Sequence, residues 1–386
     1  MKRTASNGGI PHIKPFTAEQ TTGIKPARNY EGLGLASASQ MAMEILNSLK
    51  PEAIEFGYLL DAMFDQDIRT LKLAGPLNAK GYQALMQELM RNEFRLKQQI
   101  RGLDLSCSTM PRISALLELV VANGDLTSLN LAGTKFYILD DMSMETEAPP
   151  LQPPHLHLVA DIVRKHKELT FLDLSGQRGL SQAVLTRNRF LEAPLEDLMQ
   201  ACRSSKLQVL KLCNCHFEAE DLTHVFQWLQ SEAQADSTPS LLELDLRANP
   251  HNLPWKQIFR SLRGHKSLEK LYLPNEAADW WIHLKEEEKA EVVKNLETCP
   301  QLHVLEPLTL ACAEGIHELL KARDPFKVQM ELMTAALVIG DYEEMTTDLV
   351  GLCLRTIAQH GNKNLNRVLP TRFVLSAALD PKHNPR

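Results

Sequence analysis

The sequence predicts an α/β solenoid in which short parallel strands alternate with helices, one of each per repeating unit. Three observations carry the prediction. An apolar frame L-x-x-L-x-L returns seven times in order, as Ile68-Leu71-Leu73, Ile100-Leu103-Leu105, Leu126-Leu129-Leu131, Leu169-Leu172-Leu174, Leu207-Leu210-Leu212, Leu241-Leu244-Leu246 and Leu268-Leu271-Leu273, with a degenerate eighth copy at Leu302-Leu305. The last two leucines of each frame are two apart, so on a strand both point into the core and the residues beside them face out. Between frames lie amphipathic stretches with apolar spacings of three and four, and the units run 26 to 43 residues, room for a full helix each.

Taken in order, residues 1–38 come first. They hold five basic residues (Lys2, Arg3, Lys14, Lys25, Arg28) and two acidic ones (Glu19, Glu31) among Ser, Thr, Gly and Pro. Too little apolar surface is available there to offset ordering entropy, so a disordered tail is expected. Residues 39–66 carry Met41, Met43, Ile45, Leu46, Leu49, Ile54, Phe56, Leu59, Leu60 and Met63 at helical spacing, interrupted at Pro51. Two short helices there would cover the open apolar end of the first unit.

The repeats fill residues 67–310. Their helices are expected at 113–124, 157–166, 195–202, 221–230 and 289–299. Phe136 to Pro154, acidic and proline-rich, is an insertion expected to form a protruding loop. Residues 311–386 abandon the frame. Asp324-Pro325, Asp341 and Gly361 punctuate three or four helices that would cap the far end or form a small module with its own activity.

The ninth position of each frame ends the turn that leaves the strand, where a small polar side chain can satisfy backbone groups. Cys215 and Asn249 fit fully, Ser108 and Thr134 are plausible, Gln177 fits less well, and Pro76 and Glu276 depart from the pattern. With those residues in place the chain resembles leucine-rich-repeat proteins of the ribonuclease-inhibitor-like type over residues 68–310. That resemblance implies a horseshoe with the parallel sheet on its concave side and helices on its convex side. A basic, Ser/Thr/Gly-rich start joined to such repeats also resembles bacterial effectors sent by a specialised secretion system into a host cytoplasm.

Chemistry leaves little trace. No phosphate-cradling glycine loop, nucleophile elbow or H-E-x-x-H occurs. Cys213, Cys215 and His216 lack a second ligand pair, His155 and His157 sit at a helix start, and Lys285 to Lys289 reads as an acid-rich helix start suited to the dipole. Bacterial repeat proteins with a cysteine ubiquitin ligase carry Cys-x-Asp. Here the C-terminal cysteines read Cys312-Ala313-Glu314 and Cys353-Leu354-Arg355, so that carry-over fails. No catalytic residue, cofactor or metal is therefore expected.

A net charge of -6 argues against general nucleic-acid binding. No apolar run is long enough for a membrane span, and no apolar signal-peptide core opens the chain. Seven cysteines without paired spacing suggest a soluble protein of a reducing compartment.

The outward row between the core leucines is Lys72, Asp104, Asn130, Asp173, Lys211, Asp245, Tyr272 and Glu306; the row beside it is Thr70, Gly102, Ser128, Phe171, Val209, Glu243, Lys270 and Val304. Charges with two aromatics on a rigid sheet suit protein recognition. The expected contacts to a partner protein are Lys72, Asp104, Asn130, Phe171, Asp173, Lys211, Glu243, Asp245, Lys270 and Tyr272, with Trp280-Trp281 as a further candidate if exposed. The rival expectation is an adaptor or enzyme, for instance in ubiquitin transfer, that uses the repeats for capture and the C-terminal helices for activity.

Overall fold

A computed structural model of the chain describes residues 30, 32–49, 51, 53–91, 99–123, 125–137, 153–180, 194–234, 240–249, 255–308, 316, 319–320 and 323. Two compact units divide the chain, Met1–Leu320 and Lys321–Arg386, and the account below concerns the first. The expected C-terminal helices and most of the 136–154 insertion lie outside the described residues.

The described residues form a mixed α/β structure around an open, eight-stranded, all-parallel sheet. Its strands are β1 (Thr70–Lys72), β2 (Gly102–Asp104), β4 (Ser128–Asn130), β6 (Phe171–Asp173), β7 (Val209–Lys211), β8 (Glu243–Asp245), β9 (Lys270–Tyr272) and β10 (Val304–Glu306), adjacent in that order. Each sits on one apolar frame, the degenerate eighth included. A small second sheet, absent from the sequence expectation, pairs β3 (Thr109–Pro111) with β5 (Lys135–Tyr137).

Ten helices accompany the strands among the described residues: α1 (Leu35–Leu46), α2 (Ala53–Asp65), α3 (Ala79–Arg91), α4 (Ile113–Asn123), α5 (Pro153–Lys165), α6 (Pro194–Cys202), α7 (Ala219–Gln234), α8 (Trp255–Ser261), α9 (Glu276–Ile282) and α10 (Glu286–Glu297). The first opens at Leu35, and Tyr30, Leu33 and Ala38 are buried, so ordered structure reaches into the expected tail. The last begins at Glu286 with three acids in its first turn, as the dipole favours.

The strands are only three residues long, so their packing comes from the frame. Leu71, Leu103, Leu129, Leu172, Leu210, Leu244, Leu271 and Leu305 lie in register with one another and are buried. The following core leucines extend the ladder: the Leu131 amide donates to the Asp173 carbonyl and the Leu212 amide to that of Asp245. Two residues after the first six of these leucines the backbone turns left-handed, at Gly75, Cys107, Gly133, Gly176, Asn214 and Ala248.

Four ninth-position side chains tie their unit to the one before, whereas the buried Ser108 Oγ has no hydrogen-bond partner among the described residues. Thr134 Oγ1 donates to the Leu105 carbonyl (2.8 Å), Gln177 Nε2 to that of Leu131 (2.7 Å), Cys215 Sγ to that of Leu174 (3.3 Å) and Asn249 Nδ2 to that of Leu212 (2.8 Å). Gln177, which fits less well by sequence, makes the same bond as Thr134, Cys215 and Asn249 because its longer side chain stays within the buried turn. At the first turn, where Pro76 stands, Asn47 from beyond the end of α1 supplies the amide: its Nδ2 donates to the Pro76 carbonyl (2.9 Å). At the seventh the chain passes directly into α9 through Pro274, and Glu276 is the first residue of that helix.

His265 is fully buried where α8 hands over to β9, its Nδ1 accepting from the Leu268 amide (3.1 Å). Burial disfavours the imidazolium and lowers its pKa to about 4. Between that value and the unfolded pKa of about 6.5, the unfolded chain holds the extra proton. The stabilising contribution is complete above about pH 6.5 and lost as pH falls toward about 4, roughly 3 kcal/mol across the window. Thermal melts of the chain and of His265→Gln from pH 7.5 to 4 should show a shallower decline for the variant; parallel declines would contradict the assignment.

Candidate docking face of the sheet

Both outward rows of the sheet form as expected. Pairing sets Lys72, Asp104, Asn130, Asp173, Lys211, Asp245, Tyr272 and Glu306 side by side, and Thr70, Gly102, Ser128, Phe171, Val209, Glu243, Lys270 and Val304 beside them. Neighbours along a row stand roughly 4.8 Å apart. Gly102 is the small member for a local reason: a Cβ there would lie 2.5 Å from Thr70 Oγ1.

Several of these side chains are partly engaged within the fold. Asp104, Asn130, Asp173 and Asp245 each accept, through Oδ1, the backbone N–H two residues on, at Ser106, Ala132, Ser175 and Arg247, over 2.9 to 3.0 Å. Such Asx turns hold the bend that leaves the strand.

Ion pairs engage others. Lys72 meets Asp104 (3.2 Å), and Glu243 lies between Lys211 (3.8 Å) and Lys270 (3.6 Å). The Lys211 ammonium also stands 5.6 Å from the centre of the Phe171 ring. Asp245 departs from the expectation of an outward contact. Its side chain is only 4% exposed, because the Arg247 guanidinium folds over it with hydrogen bonds of 3.0, 3.2 and 2.7 Å. Arg247, half-exposed and 4.7 Å above the Tyr272 ring, replaces Asp245 as the contact available at that point.

Arg247 was not singled out from the sequence, since it lies one residue past the frame. The signal was there: an aspartate followed two residues later by arginine, at the end of a three-residue strand. Burial, then the negative fields of Glu243 and Glu306, pushes the Tyr272 phenol above its ordinary pKa, so the hydroxyl stays neutral and can donate.

The face gathers Phe171, Lys211, Glu243, Lys270, Arg247 and Tyr272 over β6 to β9, while Lys72, Asp104 and Asn130 lie toward the other end. Trp280 and Trp281 belong elsewhere. Trp281 is buried, and Trp280 stacks on Phe259 with ring centres 5.5 Å apart and planes 8° from parallel. Both are packing residues behind the sheet.

Cys215 is buried and its Sγ donates to a carbonyl; burial pushes the thiol's pKa far upward, so it is a poor thiolate ligand or nucleophile. His157, inside α5, bonds through Nδ1 with Asp197 of α6 (2.9 Å), and Arg164 pairs with the same carboxylate. This pair of helices is fastened to one another by that cluster. Among the described residues no His, Cys, Asp and Glu side chains gather in a group of three suited to a metal, and no helix is long and apolar enough to cross a membrane. No protein-family model matches the chain, and no curated protein matches it.

Proposed function

We propose that the chain is a leucine-rich-repeat protein of the ribonuclease-inhibitor-like type, and that the exposed face of its sheet holds a partner protein without catalysing a reaction on it. The observation that carries this reading is the in-register row of side chains. Eight strands, joined by one ladder of backbone bonds, present Phe171 and Tyr272 as aromatic anchors with charges fixed around them. Rigid anchors lose little entropy on binding, and fixed charges select register, which are the properties a docking surface requires.

The contacts concentrate over β6 to β9. Lys211 and Lys270 are half-exposed and held by Glu243, and Arg247 is held by Asp245, so the cations are positioned before a partner arrives. The test uses the full chain and a Phe171→Ala, Tyr272→Ala variant as immobilised bait. Neither side chain is in the core, so both baits should melt alike. Truncating two anchors should weaken retention of the partner at least about thirtyfold, the change in affinity that a roughly 2 kcal/mol hot spot produces. Equal retention by both baits would contradict the proposal.

A further inference from the structure

We propose that His166 and His265 form an acid-sensitive latch on β6 and β9, the two strands that carry Phe171 and Tyr272, so that the sheet face loosens when the imidazoles take up protons. As a control on partner binding the device rests on the role proposed above for the two aromatics; as a property of the fold it does not. Each histidine stands three residues ahead of the first leucine of its frame, His166 before Leu169 and His265 before Leu268. The other frames have Asp65, Lys97, Asn123, Ser204, Thr238 and Cys299 at that place, so the two histidines fall on the two units whose strands bear the aromatic anchors.

Both imidazoles are buried, and each accepts through Nδ1 a backbone N–H at the entry to a strand. The Leu126 amide, ahead of β4, donates to His166 (3.0 Å), and the Leu268 amide, ahead of β9, donates to His265 (3.1 Å). His166 Nε2 donates in turn to the Val120 carbonyl of α4 (3.2 Å), while the His166 carbonyl accepts the Leu169 amide (3.0 Å). One residue thus ties the entry of β6 to the unit before it. Protonation removes this function, because an imidazolium carries N–H on both nitrogens and accepts at neither. A protonated ring would set its Nδ1–H against a backbone N–H in a place that water reaches poorly. The two donors can only move apart, which opens the loop and the strand entry behind it.

Surrounding charge does not reverse this. Burial is the largest influence on each ring and lowers both pKa values, that of His265 to about 4. Around His166, the Val120 carbonyl and Asp125 from the loop ahead of β4 favour the charged ring, and Lys165 at the end of α5 opposes it. Lys167 and Glu168 on the same loop are exposed. Around His265, burial alone lowers the pKa; Arg263 and Lys266 on its loop are exposed. Cys299, from beyond α10, donates through Sγ to the Leu262 carbonyl (2.9 Å) that also accepts the His265 amide, and a thiol carries no charge in acid. A ring with a pKa of about 4 in place and about 6.5 once released makes the opening roughly thirtyfold more favourable at pH 5 than at pH 7.5.

The test is hydrogen exchange of the full chain at pH 7.5 and pH 5, corrected for the intrinsic rate at each pH and read by mass spectrometry. Protection at β6 and β9 is expected to fall at least tenfold between the two, while β1 and β2 change less than twofold. In a His166→Asn, His265→Asn variant, whose Oδ1 atoms accept at every pH, the fall should be under threefold; His216→Asn, at an exposed turn, should keep the pattern of the parent. The proposal is overturned by an equal fall in β1 and β2, by no fall at β6 and β9, or by an undiminished fall in the double variant. The first two outcomes are read on the parent chain alone, whatever the double variant does to folding. No partner takes part, so the result is independent of whether Phe171 and Tyr272 hold one.

Discussion

Replacing Asn249 with alanine is expected to lower the unfolding free energy by roughly 3 to 4 kcal/mol. Its amide is almost completely buried and serves two units at once. Nδ2 donates to the carbonyls of Leu212 and Leu246, each at 2.8 Å, while Oδ1 accepts from the amides of Cys215 (3.0 Å) and Phe217 (3.3 Å). Alanine would leave those backbone groups in a space that water reaches poorly, and each costs about 1 to 3 kcal/mol when orphaned. Thr134→Ala, which removes one such bond, should cost only about 1 kcal/mol. Urea titrations of both variants measure the difference; a loss below 1 kcal/mol for Asn249→Ala would show that the ladder does not bind unit to unit.

Gly81→Ala should destabilise the beginning of the repeats by roughly 2 to 3 kcal/mol. A methyl group at this position would stand 2.1 Å from the Leu46 carbonyl oxygen and 2.9 Å from Leu77 Cδ1. Backbone is the closer obstacle, so no side-chain rotation relieves the clash. The end of α1 is also held in place, because Asn47 bonds to both Pro76 and Asn78 across the first turn. α1 must then separate from α3. Hydrogen exchange should accelerate in α1 and α2 and remain unchanged at β7 and β8, since the strands lie side by side in chain order and β7 is four places along the sheet from β1. Unchanged exchange in α1 would mean that the close approach does not hold the cap.

Most of the sheet was legible because its determinant is periodic. A frame of leucines two apart fixes which residues face in, and even Leu302-Leu305 without its third leucine made a strand in register. The turn position was legible as a place that needs polarity, though not as one that accepts a longer amide such as Gln177. Close backbone approaches, as at Gly81, leave no pattern in a single sequence.

The docking face was legible in outline and less so in detail. Alternation says that Asp104, Asp173 and Asp245 face away from the core, but an Asx turn and a covering arginine depend on bond geometry two residues on, which periodicity does not carry. Asp245 was consequently expected as a contact where Arg247 takes that place. The small β3–β5 sheet joins turns of successive units, with no frame of its own.

Site-directed photocrosslinking tests the central claim, that the exposed sheet face is where a partner protein is held. A photoreactive phenylalanine would replace Phe171 on the sheet face or, in a second chain, the exposed Gln227 on α7. On illumination in the cell, position 171 should yield a discrete adduct with one protein, abolished by Tyr272→Ala, and position 227 should not yield it. The same adduct from position 227, or none from position 171, would contradict the account.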